Sequence, residues 1–169
     1  GADPAAYRRA FEQVLAYGRT LYPADHPMLA WLEAEQATAD YLQGDVKGAE
    51  ARLARISAVL DAAGPEWRQK RMEIANAQVV IYLTLSDFER GTALSEQVLE
   101  WRIATSGGKP STALAAAWGN LANAQIRNGE TARGIASARQ AIAINQQLDP
   151  IPANAAPQFA NLVTFLYAA

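Results

Sequence analysis

An all-α fold built from stacked antiparallel helix pairs follows from three features of the sequence. The chain holds 37 alanines against 16 valines and isoleucines together, and Ala loses no rotamer entropy in a helix whereas β-branched side chains do. Ala49, Leu53, Ile56 and Leu60 recur at steps of four, three and four residues, the spacing of one apolar helical stripe. A third feature is a repeat. Gly44-Asp45, Ser86-Asp87 and Gly129-Glu130 each pair a small residue with an acid and are followed by a second small residue at Ala49, Gly91 and Gly134. The three turns lie 42 and 43 residues apart, and the same step back from Gly44 reaches Gly1, with Ala6 in the second small position. A period of this length means supersecondary units stacked in an array.

The elements follow in order. Eight helices are predicted, over residues 4–22, 27–43, 46–63, 66–85, 88–105, 111–128, 131–148 and 154–168. Proline is tolerated in a first helical turn because the amide it lacks has no partner there. Asp25-His26-Pro27, Gly64-Pro65-Glu66 and Lys109-Pro110-Ser111 therefore mark helix starts, while Gly107-Gly108 and Pro150/Pro152 separate units. At each repeated turn the Gly or Ser relieves the backbone where one helix stops, and the acid behind it sits at the N-terminus of the next, where unpaired amides favour negative charge. The small residue five places on, at Ala6, Ala49, Gly91 and Gly134, is expected where two helix backbones approach closely.

Composition narrows the function. A formal charge of -2 and a pI near 5.4 lack the basic footprint of nucleic-acid binding. The absence of cysteine excludes disulfides, thiolate zinc sites and a cysteine nucleophile, and one histidine leaves no His pair for a catalytic metal. No apolar run reaches the ~18 residues of a membrane span, and the first residues do not read as a signal peptide. No cofactor or metal is expected.

The sharpest motif is Trp118, Leu121, Ala122, Gly129, Gly134, Ala138 and Ala141, whose spacing resembles a tetratricopeptide repeat (TPR). That repeat usually has a period of about 34, and about 40 to 47 also suits HEAT or armadillo units. Pro23-Ala24-Asp25-His26-Pro27 is similar to the Gly-Pro-x-His-Pro linker of the long, kinesin-light-chain-like subclass. Asn120-Leu121-Ala122 and Asn161-Leu162-Val163 resemble its Asn-Leu-Ala run. Departures stand beside these matches: Glu33/Gln36 and Ala75/Gln78 occupy the Trp and Leu positions of two units, and Leu53, Ser95 and Ala138 replace an expected Phe. The resemblance covers the whole chain and implies a right-handed superhelix. In that register residues 1–169 form a single domain, divided into a half unit 1–26, units 27–64, 65–109 and 110–152, and a half unit 153–169, as in a fragment of a larger protein. The last helix, with Phe159, Leu162, Val163, Phe165, Leu166 and Tyr167, is too apolar for one buried stripe and is expected to continue into further chain or to pair with a second copy.

The resemblance also implies a concave groove lined by the first helix of each unit. Family positions carried onto this sequence give Trp31, Ala34, Thr38 and Tyr41, then Glu73, Asn76, Val80 and Leu83, then Ala116, Gly119, Asn123 and Ile126 with Arg127 beside them. Thr164 and Tyr167 fall on the closing helix. Asn76 and Asn123 are the leading contact residues because an amide side chain can donate to and accept from a peptide backbone at once. The alternative for each is a solvated or capping Asn, and for Trp31 and Tyr41 a place in the core; Trp118 is expected in the core. The candidate partner-binding set is Trp31, Thr38, Tyr41, Asn76, Val80, Leu83, Asn123 and Arg127. A carboxylate clamp, which grips a partner's C-terminus with Lys and Arg, is not matched, since Ala34, Glu73, Ala116 and Gly119 stand at its Lys positions.

Other signals are weaker. Gly107 to Thr112 resembles a phosphate-binding loop but lacks a preceding strand and has Pro110 within the Lys-Ser step. His26 reads as part of a helix start rather than a catalytic base. Trp67-Arg68-Gln69-Lys70-Arg71 is a basic cluster flanked by Glu66 and Glu73, hence a solvated helix start. The expected function is a non-catalytic, cytoplasmic module for a protein or peptide segment, the interaction or sensor part of a larger bacterial signalling or regulatory protein. The alternative is a structural or dimerisation scaffold with nothing in its groove.

Overall fold

A computed structural model describes residues 4–148 of the chain. The described residues are helical throughout, with no strand, and form two compact units that meet in sequence at Leu85/Ser86. The first contains α1 (Pro4–Leu21), α2 (Pro27–Leu32), α3 (Ala34–Leu42), α4 (Val46–Ala63), a 3-10 turn (Pro65–Trp67) and α5 (Arg68–Thr84); the second contains α6 (Phe88–Ser106), α7 (Thr112–Arg127) and α8 (Thr131–Gln146). The predicted helix at 154–168 lies outside the described residues.

The repeated turns are built as the sequence requires. Gly44, Ser86 and Gly129 all have left-handed backbone, with φ of 90°, 61° and 84°, a region that disfavours side chains with a Cβ. Ser86 is the one non-glycine with positive φ among the described residues. Behind two of these turns the acid caps the next helix: Asp45 Oδ1 accepts from the Gly48 amide at 2.9 Å and Asp87 Oδ1 from the Arg90 amide at 3.2 Å. Glu130 makes no such cap. Its carboxylate instead accepts from Asn128 and from Arg133.

In the first unit α4 is the central helix. Ala49, Leu53, Ile56 and Leu60 are at most 1% exposed and form one cluster with Ala30, Ala37, Ile74 and Ile81 from α2, α3 and α5. Deleting the side chain of one such Leu or Ile costs about 2–5 kcal/mol through lost transfer energy and the cavity left behind. The predicted helix over 27–43 is divided at Glu33, whose ψ of -14° ends α2 and begins α3. Arg55 of α4 holds the Glu33 carboxylate at this bend. The predicted start at residue 66 becomes a 3-10 turn, closed by Trp67 N–H donating to the Gly64 carbonyl at 3.1 Å, and α5 begins at Arg68.

The polar departures from the repeat pattern have partners within this unit. Gln36 accepts from Arg52 at 3.4 Å, and the same Arg52 pairs with Asp40 at 3.0 Å, joining α4 to α3. Gln78, 5% exposed, accepts from Ser57 Oγ at 2.9 Å and from Arg71 at 3.3 Å, joining α5 to α4. Buried polar groups are tolerable only when bonded in this way.

In the second unit α7 and α8 form an antiparallel hairpin around Gly129. Gly134 is buried, and a methyl group built on it overlaps Ile126 Cγ1 and comes 3.0 Å from the Ala122 carbonyl oxygen. Ala49 and Gly91 are buried at the equivalent sites. Ala6 differs from the expectation: it is exposed, because no helix precedes α1 among the described residues to cross it. Arg133 ties α8 to α6 through Glu96 at 2.7 Å, and this bond, with the charge of Glu130 beside it, raises the affinity of the guanidinium for its proton. Ser137 Oγ donates to Gln125 Oε1 at 2.7 Å inside the hairpin.

Candidate functional site

Two consecutive first helices, α2–α3 and α5, stand side by side in the first unit with α4 behind them, leaving a cleft of about 250 Å³. One wall is Trp31 of α2 with Ala34, Glu35 and Thr38 of α3. The opposite wall is Glu73 and Ala77 of α5, while Leu53 of α4 and Ile74 of α5 line the interior. Helical spacing explains the first wall, since residues 31, 34, 35 and 38 fall on one face. At one end the Lys70 ammonium lies 3.4 Å from the centroid of the Trp31 ring. Further along the same pair of helices Tyr41 Oη and Thr84 Oγ1 are 3.4 Å apart. The wall from Trp31 to Thr38 spans about 10 Å at 1.5 Å per residue, the length of about three residues of extended peptide at about 3.3 Å each.

Trp31 and Thr38, both expected in a groove, line this cleft. Trp31 also packs against the core cluster, as does Tyr41, so each is half-buried rather than a free aromatic anchor. On α5 the register differs from the expectation. The cleft takes Glu73, Ile74 and Ala77, whereas the amide of Asn76 donates back to the Met72 carbonyl of its own helix at 3.2 Å. Val80 is 43% exposed, and Leu83 is buried at 6%. In the second unit Asn123 is half-buried, and the Arg127 guanidinium lies 4.8 Å over the Phe88 ring. Trp118 is half-buried rather than fully enclosed. Sequence reasoning missed Glu35, Ile74 and Ala77; the face shared by Trp31 of α2 and Thr38 of α3 contains Glu35, and i, i+4 counting from Trp31 finds it.

Other side chains that carried chemical suggestions have structural work. His26 Nδ1 accepts from the Met28 amide at 3.1 Å, capping α2, while its ring stacks on Tyr22 at 4.5 Å and meets Trp67 edge-on at 5.9 Å. In the basic cluster Arg71 pairs with Asp61 at 3.0 Å and Lys70 is committed to Trp31. Ser111 caps α7 through the Leu114 amide at 3.1 Å, and Gly107 ends α6 in left-handed conformation, so the Gly-Gly-Lys-Pro segment is a linker between helices. A second cleft of about 220 Å³ lies between α1, α3 and α4, but its base, Arg52, is held by Asp40 and Gln36. No group of three or more His, Asp or Glu is gathered to hold a metal ion among the described residues. Nor is any described helix long and apolar enough to cross a membrane.

Solved structures share the helical fold. BtubC (BKLC) from P. vanneervenii superposes with a TM-score of 0.83 at 21% identity, covering 99% of this chain and 66% of that one. The nearly identical TPR-like repeats of a putative kinesin light chain from Podosopora anserina give 0.75 at 21% identity, over 94% of this chain and 75% of theirs. This chain has a TPR-like repeat fold. MamA from Desulfovibrio magneticus RS-1 is less similar, with a TM-score of 0.57 at 14% identity over 99% of this chain and 97% of that one. No protein-family model matches the sequence, and no curated protein matches it.

Proposed function

We propose that the chain is a non-catalytic binding module, and that the cleft between α2–α3 and α5 receives an extended segment of a partner protein. The observation that carries this reading is the cleft itself: an apolar floor, polar walls and a length suited to a short extended segment, on two adjacent first helices of a TPR-like repeat. Sites of this kind, concave and apolar with a few placed polar groups, are where small ligands and side chains bind. The single histidine is used as a helix cap and many acids and bases are tied in ion pairs, which supports a binding rather than a catalytic role. As the interaction or sensor part of a larger bacterial signalling protein working in the cytoplasm, it would use Asn76 and Val80 of the first unit and Asn123 and Arg127 of the second as further contact residues.

Selection of peptides from a random displayed library tests the reading. Selected peptides are expected to lose at least tenfold in affinity for Thr38→Arg, a change at an exposed position that fills the cleft without touching the core. Equal binding to that variant would place the site elsewhere.

A second reading, a structural or dimerisation arm, is supported by α1. Val14, Tyr17 and Leu21 are 46%, 67% and 57% exposed along one face of that helix, at steps of three and four. The apolar helix at 154–168, expected to join copies, lies outside the described residues. Sedimentation over a hundredfold concentration range distinguishes this reading, which requires a mass that grows with concentration and falls back in Tyr17→Glu/Leu21→Glu.

A further inference from the structure

The helix α1 carries a face that the repeat register marks for burial. A step of 43 residues back from Ala49, Leu53, Ile56 and Leu60 reaches Ala6, Ala10, Gln13 and Tyr17. On α4 these four positions are at most 1% exposed. On α8 the corresponding Gly134, Ala138, Ala141 and Asn145 are buried too, with Gly134 and Ala138 beside Ala122 of α7. On α1 all four are exposed, and Val14 and Leu21 lengthen the same stripe. This face is distinct from the one that holds α1 in the first unit. There Leu15 and Gly18 are buried, Gly18 beside Leu29 and Leu32 of α2, about a third of a turn away from Val14, Tyr17 and Leu21 at 3.6 residues per turn. A helix with apolar stripes on two faces is suited to packing between two neighbours.

The chain also carries a sequence that fits this face. Trp118, Asn120, Leu121 and Ala122 of α7 are matched 41 residues on by Phe159, Asn161, Leu162 and Val163, and Ile126 by Tyr167. In the α7–α8 hairpin it is Ala122 and Ile126 that meet the small residue Gly134. Val163 and Tyr167 hold those places in the helix expected over 154–168, and Ala6 is the small residue that α1 offers. Residues 154–168 contain no acidic or basic side chain, and a helix apolar all round belongs in an enclosed position. In a stacked array each repeat touches only its neighbours, and the turns at Gly44, Ser86 and Gly129 separate α1 from residues 154–168, so the match is made between copies rather than within one.

We propose that copies of this chain join head to tail, with residues 154–168 of one copy packing antiparallel on the exposed face of α1 of the next. The two together complete across the interface a helix pair of the kind that α7 and α8 make. The surfaces are different, so the contact is heterologous and each copy offers one of each. The proposal rests on the second reading above and names the occupant of the α1 face.

Sedimentation over a hundredfold concentration range tests the pairing with two variants of the full chain, each spoiling one surface: Tyr17→Glu/Leu21→Glu on α1, and Val163→Glu/Tyr167→Glu on the other. The native chain is expected to gain mass with concentration, and each variant alone to associate at least tenfold more weakly. An equimolar mixture of the two keeps one intact pairing, so it is expected to recover the native affinity and to stop at two chains. Should a glutamate pair lower the helicity read by circular dichroism, serine at the same positions gives the same comparison. Undiminished association of Val163→Glu/Tyr167→Glu, or a mixture that stays as weak as its parts, overturns the head-to-tail pairing and leaves self-association through α1 standing. A native mass fixed at one chain overturns both.

Discussion

Replacing Gly134 with Ala probes the closeness of the helix crossing on which the repeat depends. A methyl group there overlaps Ile126 Cγ1, an atom of a stiff β-branched side chain, and lies 3.0 Å from the Ala122 carbonyl oxygen, which is backbone. Overpacking of this kind costs about 1–3 kcal/mol, against a gain of about 1 kcal/mol because Ala is the better helix former. The internal control is Gly18→Ala in α1. There the new methyl meets Leu29 Cδ2 at 3.0 Å and Leu32 Cδ1 at 3.1 Å, the far ends of flexible side chains that can turn aside. The propensity gain is common to both substitutions, so their difference isolates the crossing. Native-state hydrogen exchange reads the local opening free energy of each hairpin. Gly134→Ala is expected to lower it in α7 and α8 by up to about 2 kcal/mol, whereas Gly18→Ala leaves α1 unchanged or up to about 1 kcal/mol more stable. Adding Ile126→Ala to Gly134→Ala removes the overlapping atom, and the two changes should then cost less than their sum. Equal stabilisation by both glycine replacements would refute the close-approach argument.

Three further outcomes follow from single residues. Ser86 carries a left-handed φ of 61°, so Ser86→Gly should raise the urea unfolding free energy by about 1 kcal/mol; a loss would mean that the hydroxyl does work the turn geometry does not show. Thr92 Oγ1 in α6 is buried with no partner among the described residues, so the isosteric Thr92→Val should stabilise by about 1 kcal/mol, read in the same melts, and a loss of that size would reveal a bond to the hydroxyl. Hydrogen bonding to the Arg90 guanidinium holds the Asp87 carboxyl below its ordinary pKa. Its capping contribution is therefore complete above the ordinary carboxylate value of about 3.9 and is lost as pH falls through the lower folded value. Carboxyl 13C titration should show that lowered midpoint, and in Arg90→Ala it should move back up; an unchanged midpoint would remove Arg90 as the cause.

Helix class, the stripe on α4 and the turn chemistry were legible in the sequence because they depend on local terms. Spacing alone puts Ala49, Leu53, Ile56 and Leu60 on one face, and the left-handed turns need small residues at Gly44, Ser86 and Gly129. The bend at Glu33 was not legible, nor were the polar fits of Gln36 with Arg52 and Gln78 with Ser57. These pairs join residues 16 and 21 positions apart, and only the packed helices bring them together. They give the polar residues at these positions partners inside the first unit. Of the expected residues, Trp31 of α2 and Thr38 of α3 line the cleft. On α5 the expected residues were Glu73, Asn76, Val80 and Leu83, while the cleft is lined by Glu73, Ile74 and Ala77. Which of two adjacent stripes on a helix faces a cleft depends on tertiary packing, which residue spacing alone does not carry.

The most direct measurement of the central claim is photo-crosslinking from a benzoylphenylalanine carried by a peptide selected on the unmodified chain, with the joined residues of the chain found by mass spectrometry. A binding cleft between α2–α3 and α5 predicts cross-links to the residues that line it, Trp31, Thr38, Glu73 and Ala77 among them, competed away by unlabelled peptide. The exposed Ala51 of α4 should not be joined. Cross-links at Ala51 and none to the residues of the cleft would contradict the account.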